Sequence, residues 1–230
     1  GRARGVADAP RRVMLVPPSI TYRELPAEAV TLLEEVAAEA RALLGGTLTA
    51  DREGARVAEW SVTAEGYGRF LCDVFDQWVV GDVGRYYIQM FDASLAQWCG
   101  VQPGVCSMGE TCGDALVVEH NGDVYSCDHF VYPEYLLGNI RETPLAEIYR
   151  SRRRIEFGLA KRNALPAECL RCDYYFACRG ECPKHRFETG RDGCRKNSLC
   201  AGLRRYFQHV HPYMDRMREL IAREQSPAWV

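Results

Sequence analysis

Eleven cysteines stand among 230 residues, and nine of them fall between Cys106 and Cys200. The densest run is Cys169-Leu-Arg-Cys172-Asp-Tyr-Tyr-Phe-Ala-Cys178-Arg-Gly-Glu-Cys182, a C-x2-C-x5-C-x3-C spacing. Each of its loops is short, so gathering four thiolates around one centre costs little closure entropy. Upstream lie Cys106-x5-Cys112 and then Cys127; downstream lie Cys194 and Cys200. Disulfide frameworks suit small secreted domains that cannot build a core. This chain is larger, 47% hydrophobic, and has an odd cysteine total. Its first residues, GRARGVADAPRRVMLVPPS, lack the continuous apolar stretch of a signal peptide. A cytoplasmic protein with thiolate–metal sites is expected. Four-cysteine zinc sites favour two CxxC knuckles separated by about 15 residues or more, and neither the inner gap nor the closing CxxxC fits that template. Tyr174, Tyr175 and Phe176, interleaved with the thiols, suit the apolar shielding of an iron–sulfur cluster. Spacing therefore favours iron–sulfur, with zinc as the alternative. No histidine sits at ligand spacing inside the run, and His185 is expected at the surface.

The elements that must position these thiols follow from periodicity. Residues 1–20 are expected to be irregular, and 26–44 carry a helical apolar stripe ended by Gly45 and Gly46. A helix is expected from Ala64 to Val80, with Phe70, Leu71, Val74, Phe75, Trp78 and Val79 on one face. Arg85 to Phe91 is a β-prone run, and a short helix follows near Ala93–Trp98. Helix, strand, helix is βα punctuation, consistent with part of a parallel sheet. Glycines, cysteines and turns become dense after Pro103, which sets a boundary there. Ala115–Glu119 and Val124–Ser126 flank Asn121-Gly122, a hairpin signal. Thr143 and Pro144 predict an N-cap and first position for a helix through Arg154, whose Arg150, Arg152, Arg153 and Arg154 would suit its C-terminal dipole. The last helix is expected over 198–222. Cys72 and Cys99 lie on helical segments and are expected to be core thiols.

Composition excludes other classes. Lys plus Arg is 29 against 31 Asp plus Glu, a net charge of −2, without the basic excess of a nucleic-acid binder. No apolar run approaches the roughly 18 residues of a membrane span.

Cys112-x9-Gly122-x4-Cys127, then Cys169-x2-Cys172-x5-Cys178-x3-Cys182 and a terminal cysteine, resembles the seven-cysteine SPASM extension of radical SAM enzymes. Cys106-x5-Cys112, HNGDVYSCDHFV at 120–131 and LGNI at 137–140 resemble the anaerobic sulfatase-maturating enzymes. The likeness spans roughly 57–223. It implies an α+β chain: an unplaced segment 1–56 with one helix, the last βα units of a partial (β/α) barrel over 57–103, and over 104–230 a SPASM domain with a β-hairpin and C-terminal helix. The resemblance implies two auxiliary [4Fe–4S] clusters, one on Cys106, Cys112, Cys127 and Cys182, the other on Cys169, Cys172, Cys178 and Cys200. Cys194 is the rival to Cys200. Asp128 aligns with the family's proposed general base, which would take a proton as a substrate Cys or Ser becomes formylglycine; capping the hairpin exit is the other role open to it. The implied partner is a sulfatase polypeptide. No C-x3-C-x2-C triplet for an S-adenosylmethionine-binding cluster occurs, so the chain is expected to be the C-terminal portion of a maturase, inactive alone. A SPASM protein modifying another peptide, and a non-enzymatic electron-transfer or metal-binding module, are the alternatives.

Overall fold

The computed structural model describes Val57 and residues 60–230; the helix expected over 26–44 lies outside them. Helix α1, Ala64–Gly81, starts at Thr63, whose Oγ1 accepts the Gly66 N–H at 3.1 Å. That satisfies one of the donors a helix N-terminus leaves open. Its buried face is Gly68, Leu71, Cys72, Phe75 and Trp78. Phe70, placed on that stripe by periodicity, is 60% exposed.

The β-prone run at 85–91 is not a strand. Tyr86 and Tyr87 are exposed, and helix α2 begins at Gln89 and runs to Trp98. The local backbone is engaged elsewhere: the Tyr86 carbonyl accepts the Trp78 indole N–H at 2.9 Å, and the Asp92 carboxylate accepts the Ile88 N–H at 3.0 Å. A side chain reaching back to the residue before its helix starts a helix here, overriding the β propensity of Tyr-Tyr-Ile.

Antiparallel strands β1, Val117–Val118, and β2, Asp123–Tyr125, pair Val118 with Val124. Asn121 and Gly122 lie in the connection, and Gly122 has φ +91°. A third strand, β3 at Leu136–Asn139, pairs with β2, with a register shift between Val124 and Tyr125. Asn139 fastens the turn, donating from Nδ2 to the Asp123 carboxylate at 3.0 Å and the Asn121 carbonyl at 3.1 Å.

The single helix expected from Thr143 to Arg154 is two helices, α3 at Leu145–Arg150 and α4 at Arg152–Asn163. Pro144, not Thr143, is the residue before α3. Ser151, in an extended conformation, ends one helix and caps the next through its hydroxyl. Arg152–Arg154 therefore open α4, where the helix dipole disfavours cations. Arg154 is held there by Asp114 at 2.7 Å and by the face of Tyr149.

Two single-turn helices follow, α5 at Ala167–Leu170 and α6 at Tyr175–Cys178, then a two-stranded ribbon, β4 at Glu188–Thr189 and β5 at Arg195–Lys196. Helix α7, Cys200–Ala222, closes the fold and buries Leu203, Tyr206, Phe207, Val210, Met214, Met217 and Leu220. It packs along α1 with glycine against glycine: a Cβ on Gly68 would stand 2.6 Å from the Gly202 Cα. Phe75 meets Phe91 edge-on at 5.3 Å, and Phe91 stacks on Tyr206 at 6.0 Å. Cys72 is part of this core; Cys99 is half-buried at the end of α2. Trp98 carries the core onward, meeting Phe176 of the cysteine run at 4.7 Å. Among the described residues no helix is long and apolar enough to cross a membrane.

Candidate metal centre

Helix α4 positions the first thiols. The Gly158 carbonyl accepts the Cys112 N–H at 3.3 Å, and a Cβ on Gly158 would collide with the Cys112 carbonyl. One turn on, Lys161 is 1% exposed and donates from Nζ to the carbonyls of Cys106, Ser107 and Gly109 at 2.5, 2.7 and 2.5 Å. Three carbonyls are a full set of acceptors for an ammonium, and they fold the 106–109 loop back on the helix.

Cys127 follows β2 and precedes a short 3₁₀ turn, Asp128–Phe130. Lys184 ties that turn to the segment after Cys182, donating to the His129 carbonyl at 2.9 Å and the Tyr132 hydroxyl at 2.7 Å. His129 Nδ1 consequently lies 3.7 Å from Cys182 Sγ. Cys112 is within electrostatic reach of Cys182 and Cys106, and Cys182 of Cys106 and Cys127.

The other thiols gather separately. Cys169 ends the first turn after Pro166, Cys178 ends α6, and Cys200 opens α7, whose N-terminal end favours a thiolate. The Asp192 carboxylate accepts the Ala167 N–H at 2.7 Å and the Cys194 N–H at 3.1 Å, docking the β4–β5 turn against α5. Cys169 interacts with Cys200 and Cys172, Cys178 with Cys200 and Cys169, and Cys200 with Cys172. Cys194 instead lines a cavity with Phe130, Phe157 and Arg186.

The donor chemistry fits an iron–sulfur centre. Backbone N–H groups point at sulfur in both sets: His129 to Cys127 at 3.4 Å, Lys184 to Cys182, and Gly180 to Cys178. Such donors stabilise thiolates and tune cluster potentials. Burial, before any neighbouring charge, pushes Cys112 and Cys169 up to about 11 and Cys127 and Cys178 up to about 12. These sulfurs stay protonated near neutrality until a metal displaces the proton. Among the described residues, the three neighbouring ligand-type groups with atoms all within 4.8 Å of one another are Cys127, Asp128 and His129. Neither thiol set is that compact, whereas thiolates about 2.3 Å from a single zinc would stand roughly 4 Å apart.

Asp128 is 70% exposed, and its Oδ1 accepts from the Cys127 thiol at 3.2 Å. That bond first, and then the nearby His129 against partial burial, holds its carboxyl below the usual range. His185, expected at the surface, is half-buried with Nδ1 2.8 Å from the Glu181 carboxylate. Sequence reasoning missed Lys161 and Arg186, both buried cations beside the thiols. α4 reads RRRIEFGLAKRN and has no apolar stripe to announce a buried face.

Residues 106–173 match the SPASM family, an iron–sulfur cluster-binding domain. The serine-type anaerobic sulfatase-maturating enzyme of Bacteroides thetaiotaomicron is 53% identical over 183 residues, covering 79% of this chain and 44% of that protein. The cysteine-type enzyme of Clostridium perfringens is 28% identical over 155 residues, 66% of this chain and 42% of that one. A solved structure, native anSMEcpe with bound AdoMet and Cp18Cys peptide, superposes with TM-score 0.63 at 26% identity, over 74% of this chain and 47% of that chain. The chain thus carries, over residues 106–173, a match to an iron–sulfur cluster-binding domain. It resembles the C-terminal portion of the anaerobic sulfatase-maturating enzymes, and spans less than half the length of these three relatives.

Proposed function

We propose that this chain is the auxiliary-cluster portion of a radical SAM oxidoreductase that converts a sulfatase Cys or Ser to formylglycine. In this reading residues 57–103 derive from the end of a partial barrel and 104–230 form the SPASM domain. One [4Fe–4S] cluster is held by Cys106, Cys112, Cys127 and Cys182, the other by Cys169, Cys172, Cys178 and Cys200. The observation that carries it is the sorting of eight thiols, scattered over 95 positions of sequence from Cys106 to Cys200, into two neighbourhoods, with backbone N–H donors on Cys127 and Cys182 in one and on Cys178 in the other. The clusters supply one-electron acceptors. Asp128, exposed, deprotonated and beside Cys127, serves as the base that takes the substrate's S–H or O–H proton. The radical-generating cluster and S-adenosylmethionine belong to a core that carries a C-x3-C-x2-C triplet, so this chain by itself does not cleave S-adenosylmethionine.

Anaerobic reconstitution tests the reading. About eight iron and eight sulfide per chain, with broad visible charge-transfer absorbance, are expected. A colourless protein that takes up zinc alone overturns it.

A further inference from the structure

Arg186 has no role in the reading above, and its placement is unusual. It is 4% exposed, and its Nε and Nη2 have no hydrogen-bond partner. Burying a guanidinium with open donors is strongly unfavourable unless an anion faces it. The guanidinium lies against the backbone joining the two thiol sets: a Cβ on Gly180 would be 3.1 Å from Nη2. Arg179, Gly180 and Glu181, with φ of 49°, 74° and 52°, are the whole connection between Cys178 and Cys182. The acidic groups within its reach are the Glu181 carboxylate and three thiols that become anionic only on binding metal, Cys169 of one set and Cys112 and Cys182 of the other. Glu181 is already engaged, its Oε2 accepting from Asn197 at 2.7 Å and facing His185 at 2.8 Å. Lys161 makes a contrast, since its ammonium is used up on the carbonyls of the Cys106 loop.

We propose that Arg186 is a positioning residue shared by both clusters: its fixed positive charge, buried between the two thiol sets with donors open, raises both reduction potentials. Each four-thiolate cluster gains negative charge on reduction, so a cation facing both favours the reduced form of both. Net charge and hydrogen bonding are established determinants of such potentials. The inference rests on the two-cluster reading, and the experiment separates the two failures.

The full chain, reconstituted anaerobically, is first assayed for iron, sulfide and two separable EPR signals; failure there defeats the two-cluster reading itself. With both signals present, redox titrations compare the parent with Arg186→Gln and Arg186→Lys. In R186Q both midpoints are expected to fall, each reduction equilibrium by about tenfold, or 59 mV for a one-electron couple. In R186K both are expected to stay near the parent values. Unchanged midpoints in R186Q, or movement of only one, overturn the proposal. Should R186Q not load, R186K decides: both clusters at parental potentials support a charge role, while failure to load or displaced potentials overturn it.

Discussion

The α1–α2–α7 unit and the segment from Met108 to Cys200 are stabilised differently. The helical unit buries Phe75, Phe91, Tyr206, Phe207 and Val210 at 0–1% exposure, and its rings contact one another directly. The cysteine segment has helices of one or two turns beside α4, strands of two to four residues, and a minor cluster of Val124, Phe130, Ile148 and Leu165. It devotes much of its burial to groups that resist it: Lys161, Arg186, Asn197 and several thiols. Apolar burial dominates in the first region, whose core also takes in Met108 and Ala177 from the second. In the second, much of the ordering energy must come from metal–thiolate bonds. The difference teaches that one chain can divide its labour, an apolar helical scaffold carrying a segment that its cofactor completes.

The sharpest way to break that contrast is at a ligand. Cys182→Ala is expected to lose about four of the eight iron atoms that the proposed ligand assignment implies and to loosen the 106–130 segment, while α1 and α7 keep their protection in hydrogen exchange. Loss of all protection throughout would show that the scaffold is not self-sufficient. Second in size is the converse substitution, Phe75→Ala, which removes a fully buried ring. It should cost about 3–5 kcal/mol in denaturant unfolding while the metal-depleted cysteine segment exchanges as before. Smallest is a polar tie within the cysteine segment, His185 with Glu181. The hydrogen bond to the Glu181 carboxylate, working against burial, raises the His185 pKa. Its stabilisation is therefore complete below the ordinary histidine value of about 6.5 and lost as pH rises through the raised folded value. His185→Gln should flatten that decline in unfolding free energy measured across a pH series.

How much of this was legible in the sequence divides along the same line. The α1 and α7 helices follow from periodicity because a stripe such as Leu71, Phe75, Trp78 needs only its own helix to declare it. The cysteine-rich stretch stood out because thiols at short spacing are rare and chemically specific, and the family resemblance narrowed it to eight candidate ligands. What remained hidden depended on distant partners. The strand expected at 85–91 lost its backbone groups to Trp78 and Asp92. The break at Ser151 depends on one hydroxyl taking up the Arg154 N–H. β3 was not anticipated because Leu136–Asn139 alternates no hydrophobic pattern and gains its place only by pairing with β2. Lys161 and Arg186 look like surface residues until the Cys106 loop and the Gly180 turn enclose them.

The three left-handed residues between Cys178 and Cys182 also set a wire length. Four peptide steps can span at most about 14 Å between Cα atoms. On the ligand assignment proposed above, Cys178 and Cys182 would serve different clusters, and no folding fluctuation that keeps the chain intact could carry those two anchoring points further apart. An electron entering at one of the proposed clusters would then find the next one tethered within a short hop, by covalent bonds and not by packing alone.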